Sequence, residues 1–175
     1  GGTGIISAPV ITALLQTEKV SSHQLGVSRK YFDRMAMEYC ATEEEVADLI
    51  HLRVTHRASL PKVRSLMDSG LSVVEIGNLY EVHEELRDGA EDDEWVPSLV
   101  LLHRATKAFS HLGLDQGADG LAEAIREMID EVVGGREVTM SLALKILCEY
   151  AEAYPGHSVD AVIEMIKAER KVPRS

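Results

Sequence analysis

Aromatic side chains are scarce in this sequence: two Phe, five Tyr and one Trp make up 5% of its 175 residues. A core therefore has to be built from Leu, Ile, Val, Ala and Met. Alternating runs of β-branched residues are few as well, which argues against a β-sandwich and for helices. Cysteine occurs only twice, at Cys40 and Cys148, each inside an apolar helical pattern and neither with a CxxC partner. That usage points to reduced, buried thiols and an intracellular, cytoplasmic setting. No apolar run approaches the roughly 18–20 residues that a membrane span needs, so no membrane partner is expected. Positive charge is also short, 18 bases against 29 acids for a net charge of −11. Such a balance opposes non-specific attraction to nucleic acid or to an anionic membrane, although a local basic face can survive it. A Gly-x-Ser-x-Gly nucleophile turn is absent, and Gly1-Gly2-Thr3-Gly4 is followed by no Lys-Ser/Thr that would make it a phosphate loop. Those glycines stand in place of an initiator Met and read as the edge of an excised domain or a cleaved tag.

What is present is ordinary for a folded chain: 45% hydrophobic and 27% charged residues, with length for one domain or two small ones. The most informative stretch is Leu60 to Asp88. Pro61 opens a helix, Gly70 closes it at positive φ, and Ser72 with Glu75 forms a capping box for the next. Val73, Ile76, Leu79, Tyr80, Val82 and Leu86 give that second helix its apolar stripe. Upstream, Ile5 to Gln24 holds one helical pattern, Ser28 caps a helix from Arg29 to Cys40, and Thr42 with Glu45 starts another that runs to about Ala58. The acidic run Asp88 to Glu94 reads as a solvated link between halves. Beyond it, Val96 to Leu112 is apolar around most of a helical wheel. Leu121 to Val133 is a clean amphipathic helix, Thr139 opens one whose buried side holds Leu142, Leu144, Ile146, Leu147 and Tyr150, and Ser158 to about Lys171 is the last.

Three groups of residues bear on function. The run from Val63 through Gly70-Leu71-Ser72 to Glu75-Ile76-Gly77 resembles the front half of bacterial helix-turn-helix domains, in which the small residue lets two helices cross closely. Its back half departs, with Tyr80-Glu81-Val82 at the turn and His83-Glu84-Glu85 where a recognition helix would face phosphates. Leu25-Gly26-Val27-Ser28 followed by Arg29, Lys30 and Arg34 resembles the turn and recognition helix of the same motif, which implies nucleic-acid contact through those three bases. Glu45 and Asp48, one turn apart, resemble the ExxD element of all-helical MazG-like nucleotide pyrophosphohydrolases, and the resemblance implies Mg²⁺ held by both acids. No ExxE pair of that family precedes them within a helix's reach, and Glu81-x-x-Glu84 and Glu127-x-x-Asp130, which could substitute, come in the wrong order. Asp48 and His51 are also three apart, while His51 and His56, five apart, fall too far round a helix to meet. Gly120 to Tyr150 is loosely similar to the helical hairpin of the small subunit of general transcription factor IIA, and no function is carried across from it. Finally, Leu99, Leu101, Leu102 and Phe109 belong to a helix with more apolar faces than one stripe needs, so it is either wrapped by neighbours or covered by a partner.

The expectation is an all-α fold, a compact array of about nine short-to-medium helices. Its two subdomains are 1–92, with helix-turn-helix-like hairpins, and 93–175, a C-terminal helical bundle. The expected function is a non-enzymatic interaction or scaffold domain of a larger assembly, whose partner is another protein or a second copy, without cofactor. A nucleic-acid-associated regulator and a Mg²⁺-dependent nucleotide hydrolase are the alternatives.

Overall fold

Serine and threonine caps set where most of the helices begin. Ser28 accepts a hydrogen bond from the Tyr31 amide at 3.1 Å, Thr42 from Glu45 at 3.2 Å, Ser98 from Leu101 at 3.2 Å, Thr139 from Leu142 at 3.1 Å and Ser158 from Ala161 at 3.1 Å. Each satisfies an amide that the first helical turn leaves without a partner. At Ser72 both legs of the capping box form: the Glu75 amide donates to Ser72 Oγ at 3.1 Å, and the Ser72 amide to Glu75 Oε1 at 3.0 Å.

The computed structural model describes residues 6–88, 96–109, 112 and 117–169. These hold nine α-helices and no strand: α1 (Ala8–Thr17), α2 (Arg29–Tyr39), α3 (Glu43–Thr55), α4 (Leu60–Asp68), α5 (Val73–Asp88), α6 (Leu99–Ala108), α7 (Gly117–Val133), α8 (Met140–Ala153) and α9 (Val159–Glu169), with a 3-10 turn at Ser22–Leu25. The fold is all-α. Its backbone contacts group the chain into two compact units, Gly1–Gly77 and Asn78–Ser175. The acidic link lies, from residue 89 to residue 94, outside the described residues.

In the first unit α1 packs on α3, α2 on α4, and the 3-10 turn on both α2 and α3. Phe32, Met35, Leu49, Ile50, Leu52 and Leu60 are fully enclosed there. The expected helix from Ile5 to Gln24 is two pieces. Lys19 takes a positive φ of 57°, which ends α1, and the chain restarts as the 3-10 turn. Apolar spacing shows a helical face but not an interruption by a single left-handed residue. The α4 end is a Schellman turn: Gly70 at φ 103° donates to the Met67 carbonyl at 2.9 Å, and Leu71 to Leu66 at 3.3 Å.

In the second unit α8 contacts α6, α7 and α9, and α7 contacts α9. Buried positions 121, 122, 125, 128, 129, 132 and 133 line α7, and 143, 144, 147, 148 and 151 line α8. Leu142 falls one position outside that stripe and is exposed, contrary to the sequence expectation. Arg104 of α6 reaches α8 by a two-pronged bond, Nε to Glu152 Oε2 at 2.7 Å and Nη2 to Oε1 at 2.6 Å. No polar or charged residue is buried among the described residues, so both cores are held by apolar packing.

Candidate functional site

Glu45 and Asp48 share the first turns of α3 with Glu43 and Glu44, at the positive end of the helix dipole. Glu45 is tied to its own cap, since Thr42 Oγ1 lies 3.3 Å from its carboxylate. Asp48 is exposed, and its carboxyl is raised above the usual range by desolvation first and then by Glu44, with His51 opposing. Among the described residues no three His, Cys, Asp or Glu side chains come together where a metal ion could be held. The further carboxylates that phosphate-bound Mg²⁺ calls for are therefore not gathered around this pair.

His51 and His56 do meet, with ring centroids 5.5 Å apart and edge to face. Helix α3 ends at Thr55, so His56 is its C-terminal cap and follows a different path from the one a continued helix would give. His51 Nδ1 is already bonded to the Thr55 hydroxyl at 3.0 Å.

The three bases at the start of α2 have different surroundings. Arg29 is committed within the unit: Nε to Asp33 at 2.6 Å, Nη2 to the Ala8 carbonyl at 3.0 Å and to Thr12 Oγ1 at 2.7 Å. It locks α2 onto α1. Lys30 and Arg34 are exposed. The element before them is a single 3-10 turn where a helix-turn-helix motif has its first helix. At Gly77, in the other half-motif, an added Cβ would meet only Leu52 Cδ2, at 3.8 Å. That is ordinary contact, so the crossing there does not require glycine.

On α6, Leu99, Leu102 and Phe109 are buried, Leu101 is half-covered, and Val100 is 62% exposed. The helix has one buried face, and Val100 is its main apolar exposure.

Two concave sites went unnoticed in the sequence because each joins residues distant along the chain. One is a groove of about 480 Å³ between α7 and α9. Ala124, Glu127, Met128 and Glu131 form a single i, i+3, i+4, i+7 stripe of α7, and Ser158, Val159, Asp160 and Ile163 close it from the start of α9. Ala124, Met128, Val159 and Ile163 make an apolar floor, and Glu127, Glu131 and Asp160 an exposed acidic rim. None of these three carboxylates has an ion-pair partner among the described residues. The only legible trace was that acids flank the buried stripe of α7, and nothing local announced that α9 would face them.

The second is a cleft of about 480 Å³ in the first unit, lined by His23, Gln24, Arg53, Val54 and Arg57. It is cationic in a chain that is strongly acidic overall. Comparison with known protein families, with characterised proteins and with solved structures finds no match for this chain.

Proposed function

We propose that this chain is a non-enzymatic interaction domain that docks a Lys- or Arg-bearing segment of another protein in the α7–α9 groove. The observation that carries the reading is the pairing of apolar lining residues with three exposed carboxylates, Glu127 and Glu131 from α7 and Asp160 from α9, none of which has an ion-pair partner among the described residues. Lys and Arg side chains suit such a place, because their aliphatic stems cover apolar surface while the charged heads stay at the edge. An amphipathic basic helix would present these stems at three- and four-residue spacing along the groove. The net charge of −11 adds a long-range attraction for a cationic partner. The positive end of α9 does not cancel the rim, since Ser158 caps it and Asp160 sits in its first turn.

The test is a titration of the protein with a fluorescent amphipathic Lys/Leu helix, followed by anisotropy, beside a Glu/Leu helix of the same pattern. Saturable binding of the basic peptide is expected. The double variant Glu127→Lys with Glu131→Lys should weaken it at least about tenfold, the effect of 1.4 kcal/mol. Glu43→Lys with Glu44→Lys makes the same change in net charge elsewhere and should cost much less. Equal losses from the two double variants, or no binding of the basic peptide, would overturn the groove as the docking site.

A further inference from the structure

We infer that the cleft of His23, Gln24, Arg53 and Arg57 is a binding site for a phosphomonoester anion, separate from the groove and not dependent on it. Arg53 is the pre-positioned member. Its Nε donates to the Gln24 carbonyl at 3.0 Å, which fixes the guanidinium plane while leaving donors on its other two nitrogens. That plane lies against Gly26, where an added Cβ would come within 3.0 Å of both Nε and Nη2. Gly26 is at φ 73°, so the 3-10 turn ends in a residue that both adopts the left-handed conformation and leaves room for the guanidinium.

Arg57 supplies the second guanidinium from a left-handed backbone, φ 54°, which is uncommon for a residue with a side chain. Glycine would fit that conformation with less strain, yet the residue there extends a cation into the cleft wall. No carboxylate lines the cleft, and neither Arg53 nor Arg57 has an acidic partner among the described residues. Two unpaired guanidiniums beside a histidine ring and a glutamine amide form a donor set matched to phosphate oxygens, which planar guanidinium forks bind with two parallel bonds.

The same charge argument separates a single phosphate from a polynucleotide. Screening confines surface charges to about 8 Å at physiological salt, so one phosphate senses mainly the two nearby arginines. A duplex would need a row of cations to match its row of phosphates, whereas residues 1–77 carry nine acids against eight bases. No Phe, Tyr or Trp ring lines the cleft to stack a base.

The experiment is an amide NMR titration of the whole chain with inorganic phosphate, against sodium chloride at matched ionic strength. A phosphoserine peptide and its unphosphorylated twin form the second arm. Phosphate-specific, saturable shifts at Gly26, Arg53 and Arg57 are expected. The substitution Arg57→Gly keeps the backbone conformation, should leave the fold intact, and should weaken phosphate about tenfold. Tighter binding of the phosphopeptide than of phosphate would identify a modified side chain as the source, and equal affinities a free anion. Shifts no larger than with chloride, or unchanged affinity in Arg57→Gly, would overturn the site. Neither result touches the α7–α9 groove, whose test uses a cationic peptide.

Discussion

Cys40 and Cys148 show what single residues contribute here. Both are free and buried, and burial pushes each thiol from its ordinary 9.0 up to about 12, with Glu45 and Asp48 adding to the effect at Cys40 and Arg104 opposing it at Cys148. Because the thiolate is the reactive form, neither should act as a nucleophile near neutrality. With a disulfide-exchange reagent at pH 8, the native protein should react far more slowly than the same protein in denaturant. The linkage sign follows from the direction of the shift. Below pH 9 both the folded and the unfolded chain keep these protons, so stability is unaffected. As pH rises from 9 towards about 12, the unfolded chain loses its protons first, and stability should fall. Denaturant midpoints measured from pH 8 to pH 11 check this, and a flat profile would mean that the thiols are not buried as described. The burial of both cysteines was legible from their apolar helical surroundings. The site residues were less so: Arg29 appears in the sequence as an outward base beside Lys30 and Arg34, but its bonds to Asp33, Ala8 and Thr12 turn it into a fastener. Two of those partners lie in α1, and no local pattern assigns them.

At the scale of the element, starts were more legible than ends. Ser28, Thr42, Ser72, Thr139 and Ser158 all precede helices whose first amides they receive, because a cap is a local interaction spanning three residues. Ends depend on single backbone conformations such as that of Lys19, and on tertiary support, and neither leaves a periodic trace. Helix α6 illustrates the second case, covering Leu99–Ala108 where the apolar run extends from Val96 to Leu112. Its wheel is rich in apolar residues, yet only one side is packed. The contrast between α6 and α8 can be measured. Leu144 is fully buried at the centre of the α8 stripe, so Leu144→Ala should destabilise the protein by about 2–5 kcal/mol. Val100 is 62% exposed on α6, so Val100→Ser should fall within about 0.5 kcal/mol of the parent. Urea midpoints of the two variants report this difference. A large loss at Val100 would show that its face is covered in solution, and a small loss at Leu144 would show that α8 is not docked on α6, α7 and α9 as described.

Charge is the property that belongs to the whole molecule. Acids exceed bases by eleven, and every Asp and Glu among the described residues is at least partly exposed, so their mutual repulsion opposes the folded state more than the expanded chain. Against this stand ion pairs with exposed or half-exposed partners, such as Arg64–Glu38 at 3.3 Å and Arg104–Glu152 at 2.6 Å. Pairs of that kind contribute about 0–1 kcal/mol each. The many unpaired acids outweigh the few pairs, so salt should stabilise the fold by screening repulsion. The same salt should weaken a cationic partner in the α7–α9 groove, because that attraction is screened in parallel. From 0.01 M to 0.15 M sodium chloride the screening length drops from about 30 Å to about 8 Å, enough to separate charges across the surface while leaving contacts at ion-pair distance partly intact. The expected outcome is a melting temperature that rises with salt while affinity for the basic peptide falls. If both fell together, the paired arginines and not the net repulsion would dominate stability. If the peptide were indifferent to salt, the acidic rim of Glu127, Glu131 and Asp160 would not be what holds it.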